Sequence, residues 1–217
     1  MLLTSVLLSL LEWTVGYSFE QFAAPETYHE ASVPGNCQLD IAKALDYPDY
    51  TWADNYKKFS WMEDVYFTYK TVFDAPSHAG DERVWFCSKG IDYEFEISLN
   101  GELLLYQEGM FTPVNLDITD KLKAKGNELK VLIYKAPKSN FDAIDRTQAN
   151  HSAKPPVSYG WDWHPRLIVS GIYDETGLEI RKKCHLSSFE VTYGLNDDFS
   201  KADIRLDASA HGASGKE

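Results

Sequence analysis

Residues 92–106 read DYEFEISLNGELLLY, and this stretch decides the fold class. Apolar side chains occupy every second position from Tyr93 to Leu99 and alternate with polar ones that begin at Asp92. This alternation predicts a strand with one buried face and one wet face. Asn100-Gly101 then separates the strand from a second apolar run. Because both residues of a tight hairpin turn need a positive φ angle, which Asn and Gly adopt readily, a β-hairpin is predicted here.

The same period of two recurs on both sides of the hairpin and predicts a series of short strands. Helices are predicted only over residues 38–45, where Leu39, Ala42 and Leu45 share one face, and as one turn over residues 119–124, with Thr119 as N-cap. Strands and helices do not alternate, which argues against an α/β fold. The pattern predicts an all-β fold, a β-sandwich of jelly-roll type. The predicted strands are residues 13–19, 29–33, 65–73, 83–88, 92–99, 103–106, 111–118, 128–135, 167–173 and 177–182.

From Cys184 onward the alternation starts again, in Phe189 to Tyr193 and in Ile204 to Ala208. Two strands cannot bury a core by themselves. We therefore expect residues 1–183 to form the jelly-roll domain and residues 184–217 to begin a second β-sandwich that the chain does not complete. On this interpretation the 217 residues are a fragment of a longer protein or a truncated gene product.

Composition and charge restrict the partners of the chain. Hydrophobic residues make up 44% of it, so a sizeable core is expected. The formal net charge of −12 argues against nucleic acid and against anionic membrane surfaces, because both attract basic proteins. A neutral ligand fits this charge better. The sequence contains no phosphate-binding loop, zinc-ligand spacing or serine nucleophile elbow, so no metal and no other cofactor is predicted.

The cysteines and the N-terminus leave the compartment open. Cys37, Cys87 and Cys184 are widely spaced and odd in number, which argues against a disulfide scaffold, and Cys87 is predicted to be a buried thiol. The apolar residues 1–11 have no preceding basic residue and no small-residue cleavage site after them. They are also too few to span a membrane, so they are predicted to lead into the domain.

The candidate binding residues lie in Gly160-Trp161-Asp162-Trp163, near the end of a long stretch, residues 137–166, that has no strand or helix pattern. Loops of this length are usually functional or disordered, and the aromatic content of this one argues for order. An indole offers a flat apolar face to the C–H face of a sugar ring, and a carboxylate accepts hydrogen bonds from hydroxyl groups. The residues leave a second interpretation open, in which both Trp are core side chains and Asp162 caps a turn.

Several short pieces, taken in order along residues 13–183, carry a family resemblance. The chain resembles the N-terminal sugar-binding domain of glycoside hydrolase family 2, and residues 160–163 resemble specifically its β-mannosidase branch. Lys154 stands at the spacing of a basic residue often found before that motif, whereas His164 departs from the usual Gly after it. The other matching pieces are residues 33–35, 61–73, 90–92, 99–102, 111–113, 117–119, 126–129 and 170–173.

The resemblance implies a galactose-binding-like jelly roll followed by an immunoglobulin-like domain. Family members of this kind are retaining exo-glycosidases whose two catalytic Glu lie on a (β/α)₈ barrel, which this chain lacks, so no catalytic residue is predicted here and no activity is expected of the chain alone. Carried over, Trp161 would wall the sugar pocket and Asp162 would hold hydroxyl groups of the terminal sugar. Trp163 and Lys154 complete the predicted substrate-binding set, although Trp163 also fits a core anchor. Arg166 is a candidate partner for Asp162.

The expected partners are thus a β-mannoside or related glycoside and the catalytic domain of a longer enzyme. Three other interpretations remain. The chain fits a free-standing lectin-like module, or the same domain of a β-galactosidase or β-glucuronidase of the family. It also fits a structural sandwich that mediates oligomer contacts.

Overall fold

Strand alternation places one set of apolar side chains between two antiparallel sheets in the computed structural model, which describes residues 6–8, 11–139 and 144–212. The prediction of an all-β sandwich is confirmed. The strands are β1 Val6–Leu8, β2 Trp13–Ser18, β3 His29–Ala31, β4 Tyr66–Phe73, β5 Glu82–Ser88, β6 Ile91–Asp92, β7 Glu94–Leu99, β8 Glu102–Glu108, β9 Val114–Asp117, β10 Asn127–Ile133, β11 Gly171–Ile172, β12 Thr176–Lys182, β13 His185–Leu195 and β14 Ala202–His211. The helices are α1 Cys37–Ala44 and the 3-10 segments Asn55–Asp64, Thr119–Lys121, Arg146–Asn150 and Pro156–Tyr159.

The larger sheet has the order β3-β2-β4-β10-β7-β8, and the smaller one has the order β1-β12-β5-β9. Their facing side chains form the core, with Phe67 and Tyr69 of β4 on one side and Val84 and Phe86 of β5 on the other, all essentially inaccessible. Burying such side chains stabilises the fold by about 1.5–3 kcal/mol each. The two short strands β6 and β11 pair beside the sandwich.

The predicted hairpin is present. Asn100 and Gly101 connect β7 to β8 and both have positive φ, 54° and 87°. Asn100 also fixes the turn to the neighbouring strand, since its side chain accepts from the backbone N–H of Glu128. The strands predicted at 13–19, 65–73, 128–135 and 177–182 form within one or two residues of their expected bounds.

Three local expectations were wrong. In α1 the buried face is formed by Cys37, Ile41 and Ala42, whereas Leu39 and Leu45 are 47% and 38% exposed, because the helix packs on β2 and β3 with its other side. Thr119 is the first residue of its 3-10 turn and not the N-cap, and its hydroxyl accepts from Val84 N–H on β5. Within residues 167–173 only the short strand β11 forms. Residues before it are hydrogen-bonded elsewhere, since the Ser170 N–H donates to the Gln38 side chain of α1 and the Leu167 N–H donates to the Ser158 carbonyl.

The cysteines and chain ends were only partly as expected. All three cysteines are free, and Cys37 is buried, but Cys87 is partly exposed because it lies on the outer face of β5. Residues 6–8 pair with β12, and the rest of the predicted entry segment up to residue 10 lies outside the described residues. Residues 140–143 and residues 213–217 also lie outside them. In the described ranges, no helix combines the length and the apolar character that crossing a membrane requires.

The last two strands, β13 and β14, pair with each other in a separate two-stranded sheet. Their register sets Val191 opposite Leu206 and Tyr193 opposite Ile204. Directly opposite residues share a face, so one side of the hairpin is apolar, and the exposed side chains on it have no cover within the described chain. The alternation predicted after Cys184 is therefore observed.

Candidate functional site

The candidate site is built on residues 134–170, which we call the long loop. Its described residues, 134–139 and 144–170, contain two 3-10 segments, and its base is well anchored. Tyr159 is fully buried, and its hydroxyl donates to the Pro137 carbonyl at 2.6 Å. Asp145 is buried as well, and its carboxylate accepts from Thr147 N–H at 3.1 Å and from the Ser139 hydroxyl at 2.6 Å. The described part of the loop has no regular strand, as predicted, and hydrogen bonds from its side chains take the place of a strand ladder.

Lys154 is not at the surface, as a substrate-binding residue would be. Its side chain is 1% exposed, and its ammonium group donates to the Asp92 carboxylate and to the Val169 carbonyl. Burial raises the pKa of the Asp92 carboxyl and lowers the pKa of the Lys154 ammonium, because each charge has lost its hydration, and their mutual attraction offsets part of that effect. Direct substrate contact by Lys154 does not fit this position; Lys154 ties the long loop to β6.

The position of Asp92 in this ion pair also differs from the one predicted for it on the wet face of the strand at residues 92–99. Asp92 was placed with the exposed polar residues, but it is buried. The strand is interrupted between β6 and β7, so Asp92 no longer follows the alternation that holds from Glu94 to Leu99.

Residues 161–164 form a tight turn at the tip of the long loop. The N–H of Trp161 donates to the His164 carbonyl at 2.8 Å, and the His164 N–H donates back to the Trp161 carbonyl at 3.4 Å. Gly160 precedes the turn with φ at +97°, where a side chain would be strained. The turn leaves Asp162 and Trp163 at its outermost point, with exposed fractions of 70% and 73%. The core-anchor role considered for Trp163 is therefore wrong, as is the interpretation in which both Trp are core side chains.

Arg146 also lies at this tip, and its contacts with Trp161 and Asp162 were not predicted from the sequence. Its guanidinium lies 4.1 Å from the centre of the Trp161 ring, and its Nη2 lies 3.7 Å from Asp162 Oδ1. A guanidinium over an indole is a favourable cation–π contact. Arg146 begins its own 3-10 segment, 15 residues before Trp161, and nothing in the local pattern marks it as a partner.

Arg166, the expected partner of Asp162, instead pairs with Glu63, with 3.0 Å between Arg166 Nε and Glu63 Oε2. Lys138 lies 3.3 Å from the same carboxylate, and these side chains are largely buried. The pairing joins the long loop to the 3-10 segment Asn55–Asp64, for which no helix was predicted.

A groove of about 450 Å³ opens beside the turn, within the size range of ligand pockets. Its walls combine the Trp161 indole, the His164 imidazole and the Glu63–Arg166 ion pair, and Asp162 directly follows Trp161 in the chain. Such a surface offers apolar contact and hydrogen bonding to a neutral polyhydroxy ligand. Among the described residues, no group of three His, Cys, Asp or Glu converges as a metal site. The groove is lined by Tyr56, Ser60, Glu63, Ile144, Trp161, His164, Pro165 and Arg166.

Residues 17–174 match the family described as the galactose-binding-like domain of glycosyl hydrolase 2. A β-mannosidase B from Thermothelomyces thermophilus is 27% identical over 190 residues, which are 82% of this chain and 22% of that protein. A β-mannosidase B from Aspergillus clavatus is 25% identical over 210 residues, which are 83% of this chain and 25% of that protein. The chain thus spans about a quarter of the length of these relatives.

Solved structures show the same fold. The β-D-mannosidase of Dictyoglomus thermophilum superposes with a TM-score of 0.73 at 23% identity, covering 94% of this chain and 26% of that one. The exo-chitosanase of Amycolatopsis orientalis superposes with a TM-score of 0.66 at 16% identity, covering 95% and 24%.

Proposed function

Because this chain belongs to the family of galactose-binding-like domains of glycosyl hydrolase 2, we propose that it is the N-terminal sugar-binding module of an enzyme that hydrolyses β-mannosides. The two relatives named β-mannosidase B align with more than four fifths of the chain and support this choice of substrate. On this proposal, the catalytic carboxylates lie on a separate catalytic domain, and the module contributes binding groups to the active site.

The observation that carries the proposal is the outward presentation of the turn at residues 161–164. Asp162 is exposed and directly follows Trp161, a wall residue of the groove, and its carboxylate can accept hydroxyl hydrogen bonds from a sugar beside its ion pair with Arg146. Trp161 is held in place by Arg146 and offers an apolar wall. In the proposed enzyme, Trp161 and Asp162 contact the terminal mannosyl unit, and Trp163 adds apolar surface at the rim.

The exposed apolar face of the β13–β14 hairpin supports an enzyme module over a free-standing lectin-like one. Sugar binding by a free-standing domain does not require an exposed apolar hairpin. The first hairpin of an adjoining β-sandwich has an apolar face because the rest of that sandwich packs against it. We therefore propose residues 1–183 as the jelly-roll domain and residues 184–217 as the start of an immunoglobulin-like domain.

The test is to express the complete reading frame and to compare hydrolysis of nitrophenyl β-mannoside, β-galactoside and β-glucuronide. We expect the β-mannoside to be preferred and Asp162→Ala to lower kcat/KM about 10²–10³-fold, the loss of one or two charged hydrogen bonds in the transition state. Its unfolding temperature should stay within about 2 °C of the wild type, as for exposed surface substitutions.

Asp54→Ala is the matched control, because Asp54 is equally exposed and also has one surface ion pair, with Lys57 at 3.2 Å. It should leave kcat/KM unchanged. Preference for another glycoside, or an Asp162→Ala enzyme of wild-type activity, would contradict the proposal.

A further inference from the structure

Glu63 holds the long loop near both of its ends. Its carboxylate accepts two hydrogen bonds from the guanidinium of Arg166, near the end of the loop, with 3.0 Å between Nε and Oε2 and 3.2 Å between Nη2 and Oε1. The ammonium group of Lys138, near the start of the loop, donates to Oε1 of the same carboxylate at 3.3 Å. One side chain of the 3-10 segment Asn55–Asp64 therefore fastens the two stems between which the loop extends.

The contacts continue through Tyr159 and close into a ring. The guanidinium of Arg166 lies over the Tyr159 ring, 5.5 Å from its centre. The Tyr159 hydroxyl donates to the carbonyl of Pro137, the residue directly before Lys138. The side chains involved are largely or fully buried, so solvent and salt screen their ionic contacts much less than those of exposed pairs. This stem ring consists of Glu63, Lys138, Pro137, Tyr159 and Arg166.

The turn at residues 161–164 is built on the stem ring. Tyr159 lies two residues before the turn and Arg166 two residues after it, so both flanks of the turn belong to the ring. The turn itself is closed by backbone hydrogen bonds between Trp161 and His164. A bidentate pair between a guanidinium and a carboxylate fixes direction as well as distance. The orientation in which the turn presents its side chains is therefore set at the ring.

We propose that Glu63 is a positioning residue for sugar binding, which orients Trp161 and Asp162 by holding Arg166 and Lys138. This inference rests on the proposed function and adds the group that sets the geometry of the site. Both carboxylate oxygens of Glu63 accept hydrogen bonds from the two cations, so Glu63 acts through them and not by contact with the sugar. Its loss should impair binding in the transition state more than it impairs the fold.

The experiment uses Glu63→Gln, which keeps the size of the side chain but removes its charge. In the ligand-free chain, the indole N–H NMR signal of Trp161 should move, because the turn changes its orientation. In the complete enzyme, kcat/KM on a β-mannoside should fall about tenfold to hundredfold, as it does when a binding group is displaced. Arg166→Lys keeps the charge but loses the bidentate pair, so it should move the same signal by less. This milder variant provides the test if Glu63→Gln does not fold.

Glu179→Gln is the matched control, because Glu179 forms an ion pair of similar burial with Arg181, at 2.7 Å, on the smaller sheet. It should lower the unfolding temperature by a similar amount and leave kcat/KM unchanged. Since Arg181 lies over Trp85, this variant should move the Trp85 signal and leave that of Trp161 in place.

Two results would overturn the positioning role: a Trp161 signal that stays constant in Glu63→Gln, or an equal loss of kcat/KM in Glu63→Gln and Glu179→Gln. A wild-type enzyme that hydrolyses no β-mannoside would overturn the proposed function instead. The two failures are distinguishable, because the indole signal reports the orientation of the turn without any sugar.

Discussion

The long loop and the β13–β14 hairpin show that regular secondary structure and tertiary anchoring are separate properties. The described residues of the loop, 134–139 and 144–170, have almost no repeating backbone pattern, but the buried side chains among them are tied to the sandwich. The hairpin, residues 185–211, has a ladder of backbone pairs with one irregularity between Leu186 and Ser188, yet nearly all of its side chains are exposed. The irregular region is therefore the one suited to hold a binding group in place.

The hairpin is attached to the sandwich mainly at its root. The rings of His185 and His211 lie 5.4 and 5.5 Å from Trp85 of β5, and Arg181 lies over the same indole. Beyond this cluster the apolar face has no partner in the described chain. Isolated two-stranded hairpins are marginally stable in water, so the outer part of this one contributes little to the stability of the sandwich.

The largest expected effect is on the buried ion pair under the loop. Lys154→Met leaves the Asp92 carboxylate buried without its partner, which should lower the free energy of unfolding by about 3–5 kcal/mol. The double variant Asp92→Leu/Lys154→Met removes both charges and should recover most of that loss. Urea denaturation of the two variants measures the difference. If single and double variants are equally unstable, the pair does not anchor the loop electrostatically.

The pH dependence of unfolding tests the same buried ion pair. Burial raises the native pKa of Asp92 above its ordinary value of 3.8, so between these two values the native chain binds more protons than the unfolded chain. The stabilisation associated with protonated Asp92 is therefore complete below pH 3.8 and is lost as the pH rises through the native pKa. The unfolding free energy of the wild type, relative to that of the double variant, should fall over this window. If the unfolding free energy of the wild type instead rises relative to that of the double variant, the partners of Asp92 stabilise its ionised form by more than burial destabilises it.

Removing a tyrosine hydroxyl should cost more unfolding free energy in the long loop than in the hairpin, although both effects are smaller than that of the ion pair. Tyr159→Phe removes the buried hydrogen bond to the Pro137 carbonyl and should cost about 1 kcal/mol. Tyr193→Phe, on the exposed face of the hairpin, should change the unfolding free energy by less than about 0.5 kcal/mol. Comparable losses in both variants would mean that the hairpin is as firmly anchored as the loop.

The sequence predicted the features that local periodicity determines. The alternation in residues 92–106 placed the central strands and the Asn100-Gly101 turn, and the aromatic content of residues 137–166 indicated an ordered loop. The family resemblance singled out Trp161 and Asp162. These predictions depend on neighbours within a few residues, which a single sequence displays.

Pairings across the fold could not be predicted in this way. Asp92 and Lys154 are 62 positions apart, and Glu63 and Arg166 are 103 positions apart. Whether a charged side chain is buried with a partner depends on how distant segments meet, and composition does not encode that. The break between β6 and β7 could not be predicted from the alternation either. Because of it, Asp92 does not lie on the exposed face on which the alternation placed it.

The most direct test of the account follows the indole N–H signals of the six tryptophans while the chain is titrated with mannose. We expect the signals of Trp161 and Trp163 to shift and those of the core residues Trp13 and Trp85 to stay constant. Asp162→Ala should abolish the shifts without lowering the unfolding temperature. Shifts confined to the core tryptophans, or Trp161 and Trp163 signals that stay constant at saturating sugar, would contradict it.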